Sequence, residues 1–180
     1  MLIGLFLALF PQIAPSEADW STARSTLDPR LEVGFDFLLA HMPEQDRQQL
    51  SPEWVVEHLK SAYAALEATP WKEQIPEEVF LNEVLPYASV NERRDAWRAD
   101  FHQRFAPLVK DAKSPSEAAA ILNQLIFPLL KVQYSTKRLK ADQSPYESMA
   151  VGMASCTGLS ILLVDACRSV GVPARFVGTP

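Results

Sequence analysis

The run Cys156-Thr157-Gly158-Leu159-Ser160-Ile161-Leu162-Leu163-Val164-Asp165-Ala166-Cys167-Arg168-Ser169-Val170-Gly171-Val172-Pro173-Ala174-Arg175 decides how this chain folds. Residues 157–170 are almost wholly apolar, with Leu159, Ile161, Leu162, Leu163, Val164 and Val170. A helix apolar nearly all round belongs at the centre of a fold, buried on every side. Gly171 supplies the left-handed stop at its end, and Pro173 prevents continuation. Residues 172–177 then read as a strand. The run therefore predicts a buried helix with a cysteine at its start, turning tightly into a strand.

Upstream of this run, helix-start signals recur. Ser51-Pro52-Glu53 places a capping hydroxyl before a proline at the first helical position. Trp54, Val55, Leu59, Tyr63 and Leu66 follow at helical spacing. Ser114-Pro115-Ser116-Glu117 reads as a capping box opening a helix over 118–130, and Ser144-Pro145-Tyr146-Glu147 repeats the device. Residues 76–85 and 91–109 also read as helices. In the second, Trp97, Phe101, Phe105 and Leu108 form the core face, while Arg93, Arg94, Arg98 and Asp100 point mostly elsewhere. Residues 131–139 alternate in the manner of a strand. No internal repeat or low-complexity linker interrupts the chain.

Composition agrees with this reading. Hydrophobic residues make up 48% of 180, enough for a sizeable core, and only 6 are Gly, which favours helices over hairpins. The net charge of −5 argues against a nucleic-acid partner, and Lys137-Arg138 alone reads as solvated surface. Residues 2–10 are apolar and precede Pro11 and Ser16-Glu17-Ala18. That run suits a signal-peptide h-region and is too short to span a membrane. No Lys or Arg precedes it, so a buried N-terminal helix is the other reading. The expectation is export to the periplasm, cell envelope or exterior, with no integral membrane segment.

Cys156 and Cys167 are the only cysteines. On one helix, eleven residues separate them by about 16 Å, beyond disulfide reach, and no second ligand pair suggests zinc. Cys156 falls at the first helical turn, where unpaired amides and the dipole favour an anion and are able to face an oxyanion. The dipole is worth only about 0.3–1 kcal/mol, so a strongly activated thiolate needs a cationic partner. On spacing alone, Cys156 is equally a small residue at a tight helix start. Cys167, deep in the apolar run beside Ala166, reads as core.

Ala154-Ser155-Cys156-Thr157-Gly158-Leu159-Ser160, with Ser144-Pro145-Tyr146-Glu147 before it and Gly171-Val172-Pro173-Ala174-Arg175 after it, resembles the transglutaminase-like superfamily. The resemblance covers about forty residues. Upstream, Phe80-Leu81, Leu85-Pro86-Tyr87, Asn91-Glu92 and Trp97-Arg98 look like the helical extension of bacterial members, peptidases and acyltransferases among them. The resemblance implies a papain-like fold with Cys156 as nucleophile of a Cys-His-Asp triad. It implies a protein or peptide substrate, a thioester at Cys156, and hydrolysis favoured over transfer to an amine. The alternative is a non-catalytic domain used for binding or scaffolding. No cofactor and no metal is implied.

In that family the His and the Asp lie on strands after the Pro-Ala-Arg turn, which puts them beyond Pro180 here. The 180 residues alone are then expected to be inactive, and a longer parent active. His41, His58 and His102 all lie upstream and read as surface or boundary residues. Spacing gives Glu92, Glu147 and Asp165 no support as orienters of a base. The expected architecture is α+β and mainly α. Residues 1–20 are a signal peptide or tail, 21–140 a helical region, and 141–180 the first helix and strand of a transglutaminase-like core.

Overall fold

A computed structural model describes residues 14–178. The apolar run at 2–10, and with it the signal-peptide reading, lies outside the described residues. The described chain is mainly helical, with one two-stranded parallel sheet, as the α+β, mainly α expectation has it.

The helices begin where capping residues sit. Ser16 opens α1 (Glu17–Ser25) with a full capping box through Asp19. Asp28 caps α2 (Pro29–His41), followed by α3 (Glu44–Gln49). Ser51 accepts the Trp54 amide at 3.2 Å to open α4 (Pro52–Glu67). A short α5 (Glu77–Val79) runs on into a π-helical turn at Phe80–Val84. Then come α6 (Trp97–Val109), α7 (Pro115–Leu130), strand β1 (Gln133–Tyr134), α8 (Pro145–Val151), strand β2 (Met153–Ala154) and α9 (Cys156–Ser169).

Two hydrophobic clusters hold these elements. One gathers Trp20, Phe35, Leu38, Val55, Leu59, Phe80 and Leu85 from the first half of the chain. The other gathers Trp97, Phe101, Phe105, Leu122, Ile126, Leu162, Ala166 and Cys167 around α9. Thus α6 and α7, upstream of residue 141, share one core with α9. That core is where the apolar run 157–170 was expected to sit.

Four expectations are corrected. The helix read over 91–109 begins only at Trp97, because carboxylates before it bind backbone amides of a loop and of the start of α8. Glu92 accepts from Ser89 N (2.6 Å) and Val90 N (2.8 Å), and Asp95 accepts from Tyr146 N (3.0 Å). On that helix Arg98 is buried beside Trp97, and Val109 joins the buried face, with Leu108 half-buried against the same core. The strand over 131–139 shrinks to β1, paired with β2 through Gln133↔Met153 and Tyr134↔Ala154. Residues 172–177 do not form a strand: Val172 N donates to Cys167 O and Ala174 N to Glu83 O, and no strand lies alongside among the described residues. The device at Ser114 is also altered. Ser114 Oγ accepts Glu117 N at 3.2 Å, but the Glu117 carboxylate reaches Lys113 N (2.8 Å) instead of closing the box. At Ser144 the box is complete.

Candidate active site

Cys156 owes its position to a chain of short devices. α8 ends on Gly152, whose left-handed φ of 69° a glycine adopts without strain. Two residues of β2 follow, and Ser155 then caps α9 by accepting Gly158 N at 3.0 Å. The same hydroxyl donates to Ala141 O, and Gln143 Nε2 donates to Met153 O at 3.2 Å. Gly158 allows close packing, since a Cβ there would lie 3.0 Å from Ala154 Cβ. The start of α9 is thereby tied to α8, β2 and the segment before α8.

At this start, Cys156 is exposed. Gly158 N goes to Ser155 Oγ and Leu159 N to Ser155 O at 2.9 Å. The amides of Cys156 and Thr157 have no acceptor among the described residues. An exposed sulfur beside two open N–H groups is an arrangement that acyl transfer uses.

The other end of α9 is a buried polar junction. Arg98 is 2% exposed and donates through Nη1 to Arg168 O (2.8 Å) and through Nη2 to Val84 O (2.7 Å) and Leu85 O (3.2 Å). Arg168 donates through Nε to Ala174 O (3.0 Å) and through Nη1 to Pro86 O (3.2 Å) and Ala88 O (3.1 Å). Burial pushes the Arg98 guanidinium down to about 9, leaving it charged at neutral pH, and pushes Arg168 down as well. Asp165 is fully buried, with no protein partner for either oxygen. Burial holds its carboxyl well above the ordinary value, against the pull of Arg168.

The histidines are placed away from Cys156. His58 is buried, contrary to the surface reading, because Trp54 stacks on it and Tyr87 and Trp97 meet it edge-on. Its Nε2 lies 2.9 Å from Leu85 O and 3.1 Å from Arg98 Nε. One nitrogen cannot donate to the first and accept from the second, so each tautomer satisfies one contact. Burial first, then Arg98, hold its pKa well below 6.5, so the ring is neutral. His102 is half-buried and donates through Nδ1 to Ser169 O at 2.8 Å. His41 is exposed, with Nδ1 2.8 Å from Phe37 O. Both His58, through Arg98, and His102 thus serve the C-terminal end of a 14-residue helix, about 20 Å from its start.

Residues 103–180 match the family model of the transglutaminase-like superfamily. This part of the chain is a transglutaminase-like domain. No curated protein and no solved structure gives a match.

Within the transglutaminase-like domain, Cys156 stands alone among the sequence-derived site candidates. Glu147 is engaged in its capping box and with Lys140 Nζ at 3.1 Å. Asp165 and Glu92 belong to the buried junction and its approaches, not to the exposed sulfur. Sequence reasoning did not foresee that junction. Its signal was Asp165 and Arg168, two charges three residues apart inside an otherwise apolar run. Among the described residues no cluster of His, Cys, Asp and Glu is suited to a metal ion. None of their helices is long and apolar enough to cross a membrane.

Proposed function

We propose that this protein is a transglutaminase-like cysteine enzyme acting on peptide or glutamine-type amides through a thioester at Cys156. The observation that carries the reading is the exposed sulfur at the first position of α9, beside the unclaimed amides of Cys156 and Thr157. The sulfur attacks the carbonyl carbon, a C–S bond forms, and the carbonyl electron pair moves onto oxygen, facing those two N–H groups. Collapse breaks the C–N bond, and the amine leaves with a proton. Water then attacks the thioester, releasing a carboxylic acid and restoring the thiol; an amine in place of water gives a new amide. Hydrolysis is the favoured outcome. We place the protein outside the cytoplasm, in keeping with the apolar run at 2–10.

The proton leaving the thiol needs a base. The contacts of His58 and His102 belong to the far end of α9, so the base is supplied from outside the described residues. That same observation favours a second reading, a domain that keeps the fold for binding alone.

The test is turnover by the full-length protein of a peptide amide, and of a glutamine peptide with and without an added amine. Release of ammonia or amine that disappears in Cys156→Ala supports an enzyme. Amine incorporation exceeding hydrolysis would shift the reading to transfer. Absence of any Cys156-dependent turnover would favour the binding domain. Turnover that survives Cys156→Ala but is lost on replacing His41, His58 or His102 would overturn the assignment.

A further inference from the structure

Residues 136–140 form a loop fastened at both ends beside Cys156. Before it, Ser135 N donates to Ala154 O at 2.9 Å. After it, Ala141 O accepts from Ser155 Oγ. Ala154 and Ser155 are the two residues that immediately precede Cys156, so the loop is held against the start of α9. It reads Thr136-Lys137-Arg138-Leu139-Lys140, three cations and no acid, all exposed.

Lys140 pairs with Glu147. Lys137 and Arg138 pair with no carboxylate among the described residues. Lys137 is held only through its backbone N to Ser135 Oγ (3.0 Å), and the Arg138 guanidinium makes one long contact, to Thr136 O at 3.4 Å. The nearest acid in sequence, Asp142, makes no ion pair with either. Between and beside these cations, Leu139 is 74% and Tyr134 59% exposed. In a chain of net charge −5, a pair of unneutralised cations with apolar neighbours sits on a loop anchored to the two residues that precede the one exposed thiol.

We infer that this loop is a docking site for an acidic peptide segment, so that the amide presented to Cys156 is flanked by Asp or Glu. The inference rests on reading Cys156 as the acyl acceptor. Opposite charge across an interface raises encounter rate and fixes orientation, and rim contacts of this kind are screened by salt. Two free cations on a net-acidic chain are too few for a nucleic-acid backbone, whose binding rests on many phosphate contacts.

The experiment uses the full-length protein carrying Cys156→Ala and three fluorescent glutamine peptides of equal length, flanked by Glu, Ser or Lys. Fluorescence anisotropy at low and at high salt reads binding without chemistry. The acidic peptide should bind about three- to tenfold tighter than the Ser peptide at low salt, the range two exposed ion pairs provide. High salt should erase the difference, and Lys137→Glu with Arg138→Glu should reverse it toward the Lys peptide. Lys137→Ala with Arg138→Ala, a milder change on exposed positions, should simply abolish it. Equal affinity for the three peptides, or an acid preference unchanged in both double variants, would overturn the inference. Turnover by the unmutated protein separates the two claims. Cys156-dependent turnover with no acid preference sinks the loop alone, whereas acid-selective binding with no turnover of any peptide sinks the enzyme reading and keeps the loop.

Discussion

Cys156 and Cys167 lie on the same helix in opposite surroundings. Cys156 is exposed, while Cys167 is buried and its thiol is pushed up to about 12, mainly by that burial. A small alkylating reagent under native conditions is expected to label Cys156 far faster than Cys167. Equal rates would mean that α9 opens readily or is misplaced. His58 makes a second prediction at this scale. Its folded pKa is depressed below 6.5, so the stability it lends is present above 6.5 and lost as pH falls toward the folded value. The charges facing it, Arg98 and Arg168, both oppose protonation. Urea midpoints of the native protein should therefore fall more between pH 7.5 and pH 5.5 than those of His58→Gln. A pH dependence unchanged by the substitution would assign the effect to other groups. The helix-start position of Cys156 and the core place of Cys167 were readable from sequence, because the apolar run 157–170 separates a first-turn position from an interior one. The burial of His58 was not, because it depends on Trp54, Tyr87 and Trp97 converging from three parts of the chain.

At the scale of elements, α9 is secured at both ends. Ser155→Ala removes the acceptor for Gly158 N and the tie to Ala141 O, and should cost about 1 kcal/mol in chemical denaturation. It should also reduce Cys156-dependent turnover without abolishing it. At the other end Gly171 has φ 70°, and a Cβ would fall 2.8 Å from Thr69 Cγ2 and 3.1 Å from Ala65 O. Gly171→Ala should therefore destabilise by about 2 kcal/mol, and a neutral result would contradict this packing. These signals, a serine before a helix and a glycine after it, are local, and the sequence displays them. The six residues at 91–96 show the contrary case. Their propensities permit a helix, but the Glu92 and Asp95 carboxylates find backbone amides in a loop and at the start of α8. Residues 172–177 have the composition of a strand, yet a strand is defined by a neighbour, and none is present among the described residues. α1 bears on export: Ser16 closes its capping box and Trp20 is 2% exposed. Any mature N-terminus should thus lie at or before Ser16, which N-terminal sequencing of the protein from its native host would check.

Across the whole molecule, Arg98 is the rivet between the two hydrophobic clusters. Its guanidinium binds carbonyls of the 84–85 turn on one side and of Arg168 on the other. Arg98→Met leaves those carbonyls buried without donors and should cost about 3–5 kcal/mol, the scale for breaking a buried charged network. The transglutaminase-like start at Cys156 was recognisable because its motif is continuous in the chain. The junction that orients α9 was hidden because it joins residues 70 to 85 positions apart. Acyl transfer to Cys156 is open to direct observation. Full-length protein turning over a peptide amide is quenched in acid and its mass is measured before and after digestion. The expected result is a transient adduct of the acyl mass on the fragment containing Cys156, released by hydroxylamine and absent in Cys156→Ala. An adduct on Cys167 or on any other residue, or turnover with no adduct that Cys156→Ala leaves intact, would contradict it.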